Sequence, residues 1–227
     1  GFSSNYHTIA PILDELNLTA EFFITTNFIN NADLMWRNKL CAITNNCESS
    51  QIKSIMIELS RIYDIPKSKN NFQGGLINWS NSWDMTHKDR FAQKAWDLSS
   101  LEPLDAYLDK HKPYMTEFQI KELHSAGFGI SSHSQSHPYF DKLDWNNYEK
   151  EILDSVEVLS NIIGEEQYSF SYPFGKRASP EFERRLIESN PQISSILGIN
   201  NLNENSLDPY AWERDLQEDT WNISQFR

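Results

Sequence analysis

Apolar residues near the start of the chain follow helical spacing and then the pattern of a strand. Residues 6–16 carry Ile9, Ile12 and Leu16 at intervals of three and four positions, which predicts an amphipathic helix. Residues 19–25 come next, with β-branched and aromatic side chains close together, which predicts a strand. The chain therefore begins with a predicted helix and then a predicted strand.

Strands alternate with helices again over the second half of the chain. The apolar runs predict strands over residues 128–132, 168–172 and 193–199. Alternation at this spacing is typical of βα units, which build a parallel sheet or barrel. In such folds the loops after the strands carry the chemistry. Residues 133–138 and 173–175 are therefore the candidate site segments.

Capping residues predict where the helices between these strands begin. A capping box at residues 116–119 predicts one start, Asp144 predicts another, and Ser179 with Pro180 directly after it predicts a third. Gly164 suits the end of the helix that begins at Asp144.

The stretch from about residue 30 to residue 113 breaks the alternation. It is polar, with helical patches near residues 52–62 and 91–96 and with Asn- and Ser-rich loops between them. We interpret it as a mostly helical insertion packed beside the core of one domain that spans residues 1–227. Its tryptophans leave two interpretations open, stacking on sugar rings and ordinary core packing. They are Trp36, Trp79, Trp83 and Trp96.

Composition excludes some classes of function. The chain has 227 residues, 39% of them hydrophobic, which is enough for a core. Its formal net charge of −12 argues against nucleic acid as a partner, because phosphates are bound by Lys and Arg. No apolar run approaches the roughly 18 residues needed to cross a bilayer. Cys41 and Cys47, the only cysteines, fit a small disulfide loop or two free thiols, and free thiols are favoured.

Two histidines after the predicted strand 128–132 are the strongest candidates for a metal site. His133 and His137 are four positions apart, and neutral imidazole is a common zinc ligand. Pro138 disfavours a continuous helix here, which places the pair on a tight turn at a strand end. Two solvated loop histidines are the alternative. A metalloprotease is rejected because no Glu lies between the histidines to act as a base.

Five segments in this order resemble the polysaccharide deacetylases of the NodB-homology type, carbohydrate esterase family 4. They are residues 20–24 (AEFFI), 114–116 (YMT), 126–127 (AG), 133–138 (HSQSHP) and 170–175 (FSYPFG). The resemblance runs nearly end to end and is weakest over residues 41–112. Residues 34–40 further resemble a bacterial branch with an insertion at this place. The resemblance implies a distorted (β/α) barrel that removes acetyl groups from a sugar or polysaccharide, with N-deacetylation expected.

The resemblance also implies roles for individual residues. His133 and His137 match the two histidine ligands of a divalent metal ion, for which zinc is expected. Pro173 and Phe174 match one wall of the substrate groove, where the backbone N–H of Phe174 contacts the oxyanion. Tyr172 lies beside them and is expected to contact the substrate as well.

A late arginine and the biological setting are implied in the same way. Arg214 resembles the family arginine that orients the catalytic carboxylate, and a plain surface arginine is the alternative. The expected partner is a carbohydrate. The expected compartment is the bacterial cytoplasm or the cell envelope, where the related branch acts in surface-polysaccharide synthesis.

The chain departs from the family pattern at functional positions. Residues 1–6 (GFSSNY) resemble the residues directly after the family's Asp-Asp motif, whose carboxylates are the general base and a metal ligand. Both aspartates are absent from residues 1–227, as is the late histidine that serves many relatives as general acid, and Ser171 replaces a common arginine. We expect a deacetylase domain truncated just before Gly1, which alone binds metal weakly and turns over little. The alternative is a degenerate barrel that binds carbohydrate without catalysis.

Overall fold

The structure is a computed structural model that describes residues 1–63 and 74–198 together with the backbone of residues 211–213. The chain divides into two compact units. The helical unit comprises Gly1–Pro11 and Asn27–Gln119, and the sheet unit comprises Ile12–Thr26 and Ile120–Arg227. The interpretation of residues 1–227 as one domain stays a prediction.

The sheet unit is built on parallel strands. Among the described residues they are β1 (Glu21–Ile24), β2 (Gly129–Ser132), β3 (Tyr168–Ser171), β4 (Ile193–Gly198) and β5 (Ala211–Glu213). All neighbours are parallel, in the order β1-β2-β3-β4-β5. Because each strand pairs with the one that precedes it in the chain, the topology is that of consecutive βα units, as in a (β/α) barrel. The predicted α/β class is confirmed.

The helices confirm the predicted starts and ends. Asp144 accepts the backbone N–H of Asn147 at the start of the long helix, and Ser179 accepts that of Phe182 at the start of the last one. Gly164 ends the long helix with a φ of 79°, which glycine adopts without strain. No helix in the described ranges is long and apolar enough to cross a membrane. The helices are α1 (Ala10–Glu15), α2 (Trp36–Asn46), α3 (Ser49–Ile62), α4 (Gly75–Ser80), α5 (Lys88–Asp97), α6 (Leu104–His111), α7 (Glu117–Ser125), α8 (Trp145–Ile163) and α9 (Pro180–Ser189).

The capping box before α7 forms as predicted. Thr116 Oγ1 accepts the N–H of Gln119 at 3.2 Å, and Gln119 Oε1 accepts the N–H of Thr116 at 2.9 Å. Two backbone donors at the helix start are thus satisfied reciprocally. The helix predicted over residues 6–16 is also present, as a π-helical turn (Asn5–Ile9) and then α1, and the apolar stripe on it is exposed.

The helical unit packs α2 to α6 around an aromatic core. Trp79 and Trp83 lie edge to face with ring centroids 5.4 Å apart, and Trp83 packs on Phe91 in the same way. The four tryptophans of the insertion are at most 3% exposed, so they form the core, and their burial does not support stacking on sugars. Cys41 and Cys47 are free thiols, as favoured from the sequence.

Helix α8 covers the sheet with an apolar face. Ile152, Val156 and Leu159 recur at helical spacing and are buried, and α8 packs against β2. On the strands, Ile130 and Phe170 are buried as well. Burial of side chains of this size stabilises the fold by roughly 1.5–3 kcal/mol each. This packing fixes the carboxyl ends of β2 and β3, where both candidate segments begin.

Candidate functional site

Two loops meet at the carboxyl edge of the sheet. β2 ends at Ser132, and His133 comes directly after it. β3 ends at Ser171, shortly before the turn Pro173–Gly175. Because β2 and β3 are parallel neighbours, both loops leave the sheet at the same edge, where the sites of βα folds are found. The structure therefore brings together the two segments that the sequence singled out.

His133 is held at the strand end through its backbone and its ring. Its N–H donates to the carbonyl oxygen of Ile24 at 2.9 Å. Its ring Nδ1 lies 2.7 Å from the carbonyl oxygen of Ser171. Since a carbonyl oxygen only accepts, Nδ1 carries the proton in this bond, and the lone pair of the neutral ring is on Nε2. Metal-binding histidines are commonly oriented in this way.

His137 reaches the same place through a tight turn. Ser134 and His137 have positive φ values of 72° and 62°, and Ser134 Oγ accepts the N–H of His137 at 2.9 Å. The segment is not helical, as expected from Pro138. The rings of His133 and His137 lie edge to face with centroids 4.8 Å apart. The predicted pair is therefore adjacent, and its role as a pair of metal ligands stays a prediction.

Phe174 forms an aromatic wall beside the histidines. Its ring centroid lies 4.5 Å from that of His137 and 4.7 Å from that of Tyr139, and its own φ is 55°. Among the described residues of the sheet unit, the non-glycine residues with positive φ are Asn17, Ser134, His137 and Phe174. All but Asn17 lie at this edge. Left-handed backbone of this kind concentrates at functional sites.

Tyr172 and Pro173, which precede Phe174, are buried. The hydroxyl of Tyr172 lies 3.0 Å from that of Tyr148 on α8, and its ring packs on Phe140. The substrate contact expected of Tyr172 stays a prediction, as does that of Pro173. In the structure the Tyr172 hydroxyl is hydrogen-bonded to that of Tyr148 within the core.

Burial raises the pKa of both hydroxyls in this tyrosine pair. The pKa of Tyr172 lies well above its usual range, first because of burial and then because a tyrosinate would be repelled by Tyr148 once that group ionises and by Glu183. Burial also raises the pKa of Tyr148, and it outweighs the opposing effect of the hydrogen bond with Tyr172. Both groups therefore stay protonated where an exposed tyrosine ionises, near about pH 10.

We expect the free energy of unfolding to decrease as the pH rises above about 10, the pKa of tyrosine in an unfolded chain. Above that pH the unfolded state has lost protons that the folded state keeps, so stability declines with rising pH. Urea unfolding from about pH 8 to about pH 11 measures the slope. Tyr172→Phe removes one of the raised groups, so the slope should be shallower. Equal slopes in the two proteins would contradict this assignment.

An ion pair stabilises the turn that carries Phe174. The Arg177 guanidinium donates to both carboxylate oxygens of Glu183, at 2.9 and 2.7 Å. The N–H of Arg177 donates to the carbonyl oxygen of Gly175 at 3.1 Å. Glu183 lies on α9 and is 4% exposed, so the turn is tied to a helix of the barrel. This ion pair could not be predicted from the sequence. An Arg before a helix start and a Glu after it do not by their positions indicate that the two side chains meet.

The residues at this edge fit a metal ion in part. Two imidazoles are adjacent, and their nitrogen donors suit zinc and related ions. Within the part of the chain that the structure describes, no group of three His, Cys, Asp or Glu side chains is placed to hold an ion. Arg214 lies outside the described residues, and its predicted role stays a prediction.

The site segments fall within a recognised family sequence. Residues 103–187 match the model of the polysaccharide deacetylase family, which is the family that the motifs resemble. Over 66 residues the chain is 32% identical to YxkH of Bacillus subtilis, which is named as a polysaccharide deacetylase; the matched stretch covers 29% of this chain and 24% of YxkH. The chain thus spans about a quarter of the length of that relative.

One solved structure shows the same architecture along most of the chain. The deacetylase domain of BpsB from Bordetella bronchiseptica matches with a TM-score of 0.52 and 12% identity, over 95% of this chain and 67% of that one. A polysaccharide deacetylase from Bacillus cereus matches over 46% of this chain and 33% of that one, with 21% identity and a TM-score of 0.39. The BpsB likeness shows the fold alone, and it confirms the predicted distorted barrel.

Proposed function

We propose that the protein is a metal-dependent hydrolase that removes acetyl groups from an N-acetylated sugar or polysaccharide. The observation that carries the proposal is the adjacent pair of His133 and His137, set against Phe174 at the carboxyl edge of the sheet. The family match over residues 103–187 supports the class of reaction. The preference for N-acetyl over O-acetyl groups rests on the family resemblance.

His133 and His137 are the proposed ligands of a divalent ion, with zinc as its proposed identity. When bound, such an ion polarises the acetyl carbonyl and lowers the pKa of a water molecule. The carbonyl oxygen of Ser171 fixes the ring of His133 through Nδ1, so Nε2 is oriented before any ion arrives. The ring of Phe174 packs nearly perpendicular to the His137 imidazole.

Phe174 is proposed to bind the acetyl oxygen as well as to form the groove wall with Pro173. Its backbone N–H would donate to the carbonyl oxygen as negative charge develops there. The turn that presents this N–H is closed by bonds from Gly175 N–H to Tyr172 O at 3.3 Å and from Lys176 N–H to Pro173 O at 3.1 Å. A donor fixed in advance needs no rearrangement during the reaction.

A carbohydrate-binding barrel without catalysis is the second candidate. It is favoured by one observation, that no group of three potential metal ligands lies together within residues 1–63 and 74–198. Such a protein would keep the groove wall at Phe174 and would bind glycan through it. Its affinity for glycan would not depend on the histidine pair.

Acetate release by the native full-length polypeptide separates these candidates. The protein is stripped with a chelator and then assayed before and after zinc is returned, on an N-acetylated chito-oligosaccharide and on O-acetylated xylan. We expect acetate from the N-acetylated substrate only after zinc is returned. Equal glycan binding with and without zinc, with no acetate released, would identify the binding barrel instead.

A further inference from the structure

We infer that Glu151 is a positioning residue that holds the loop between the two histidines in the geometry needed to bind a metal. The inference rests on the proposed role of His133 and His137 as ligands. Glu151 lies on α8, outside the motifs that resemble the deacetylase family. Its side chain is directed at residues 135 and 136, two of the three residues between the histidines.

The carboxylate of Glu151 accepts three hydrogen bonds from this loop. One oxygen accepts the backbone N–H of Ser136 at 2.8 Å and that of Gln135 at 3.1 Å. The other oxygen accepts the hydroxyl of Ser136. The backbone carbonyl oxygen of Glu151 also accepts the Gln135 N–H, at 2.9 Å. One residue of α8 therefore binds two of the three residues that separate His133 from His137.

The loop needs such a restraint because its backbone is unusual. Ser134 and His137 both adopt left-handed conformations, which persist in non-glycine residues only when the surroundings fix them. Hydrogen bonds to a carboxylate are about twice as strong as bonds between neutral groups. The three bonds to Glu151 thus favour the conformation that places the His137 ring 4.8 Å from that of His133.

The helix that carries Glu151 is a rigid support. The next residue, Ile152, is fully buried, and one turn further Ser155 Oγ lies 2.9 Å from Ser132 Oγ at the end of β2. Ser132 Oγ in turn accepts the N–H of Ser134 at 3.3 Å. Contacts with one face of α8 therefore fix both the start of the loop and the residues that follow it. Outer contacts of this kind set the orientation of metal ligands.

Zinc affinity of matched variants tests the inference. In the native full-length polypeptide, Glu151→Ala is expected to lower zinc affinity about 10- to 100-fold, the usual effect of losing an outer partner of a metal ligand. Glu151→Gln should stay within about threefold of wild type, because its amide oxygen still accepts the two N–H groups and its amide nitrogen can donate to the Ser136 hydroxyl. The control is Glu157→Gln, an exposed position on the same helix, which should not change the affinity.

A second readout does not depend on metal. Glu151→Ala should accelerate hydrogen exchange at the Gln135 and Ser136 amides at least about tenfold, while the amides of β2 exchange as in wild type. If Glu151→Ala does not fold, Ser136→Ala takes its place, with an expected loss of zinc affinity of about two- to fivefold, since it removes one of the three bonds.

The outcomes separate this inference from the proposed function. If wild type binds zinc and Glu151→Ala binds it equally well, with unchanged exchange at Gln135 and Ser136, Glu151 is not a positioning residue. If Glu151→Gln loses as much zinc affinity as Glu151→Ala, the negative charge of Glu151 and not its hydrogen bonds determines the affinity, and the inference also fails. If wild type binds no zinc, the proposed metal site fails, and the exchange rates alone decide whether Glu151 fixes the loop.

Discussion

Alanine in place of His133 or His137 is expected to lower the zinc affinity and the acetate release of the native polypeptide by more than about 100-fold. Loss of an outer partner of a ligand alone costs about 10- to 100-fold, and these substitutions remove a proposed ligand itself. His133→Ala also abolishes the bond between Nδ1 and the Ser171 carbonyl oxygen. Competition with a chromophoric chelator measures the affinity, and the rate of acetate release measures the activity.

His124→Ala is the matched control for the histidine variants. His124 belongs to the same unit, but it lies in the last turn of α7 and its Nε2 is 3.3 Å from the carboxylate of Glu165. Exposed pairs of this kind contribute little to stability, so the control should keep its zinc affinity and activity within about twofold of wild type. If both His133→Ala and His137→Ala bind zinc as tightly as this control, the proposed ligands are wrong.

Glu183→Gln is expected to lower the free energy of unfolding by about 3 kcal/mol. Removing one partner of a buried ion pair leaves the other charge uncompensated, at a cost of about 3–5 kcal/mol. The low end applies because the Arg177 side chain is 21% exposed and keeps some hydration. The turn that carries Phe174 loses its link to α9 at the same time. Urea unfolding monitored by circular dichroism measures the change.

A neighbouring glutamate and a double variant check the origin of this effect. Glu181 lies on the same helix and is exposed, so Glu181→Gln should change stability by less than about 0.5 kcal/mol. Replacing Arg177 and Glu183 together by Met should cost less than Glu183→Gln alone, because no charge is left without its partner. A loss of equal size at Glu181 and Glu183 would show that the ion pair is not the cause.

The element order and the capping residues were predictable because they depend on local chemistry. Asp144 and Ser179 cap their helices through contacts with residues three positions later, so the local sequence is sufficient to predict these caps. The same holds for the capping box of Thr116 and Gln119. The meeting of the two loops was also predictable, since parallel strands deliver their carboxyl-terminal loops to one edge.

The contacts that orient the candidate site were not predictable from one sequence. The bond from His133 to Ser171 and the bonds from Ser136 to Glu151 join residues of different elements, and no spacing rule predicts them. The side chain of Tyr172 lies in the core with Tyr148, because alternation along β3 decides which residues face α8. The tryptophans of the insertion allowed two interpretations for a similar reason, since only packing distinguishes a core ring from a binding platform.

The position of bound zinc decides whether His133 and His137 are the metal ligands. Crystals of the native polypeptide grown with saturating zinc would be measured at the zinc absorption edge, and an anomalous difference map would locate the ion. We expect a peak about 2.0–2.1 Å from Nε2 of His133 and from a ring nitrogen of His137, the usual zinc–imidazole distance. A map with no peak at this pair, or with zinc bound only elsewhere, would show that these histidines are not the ligands.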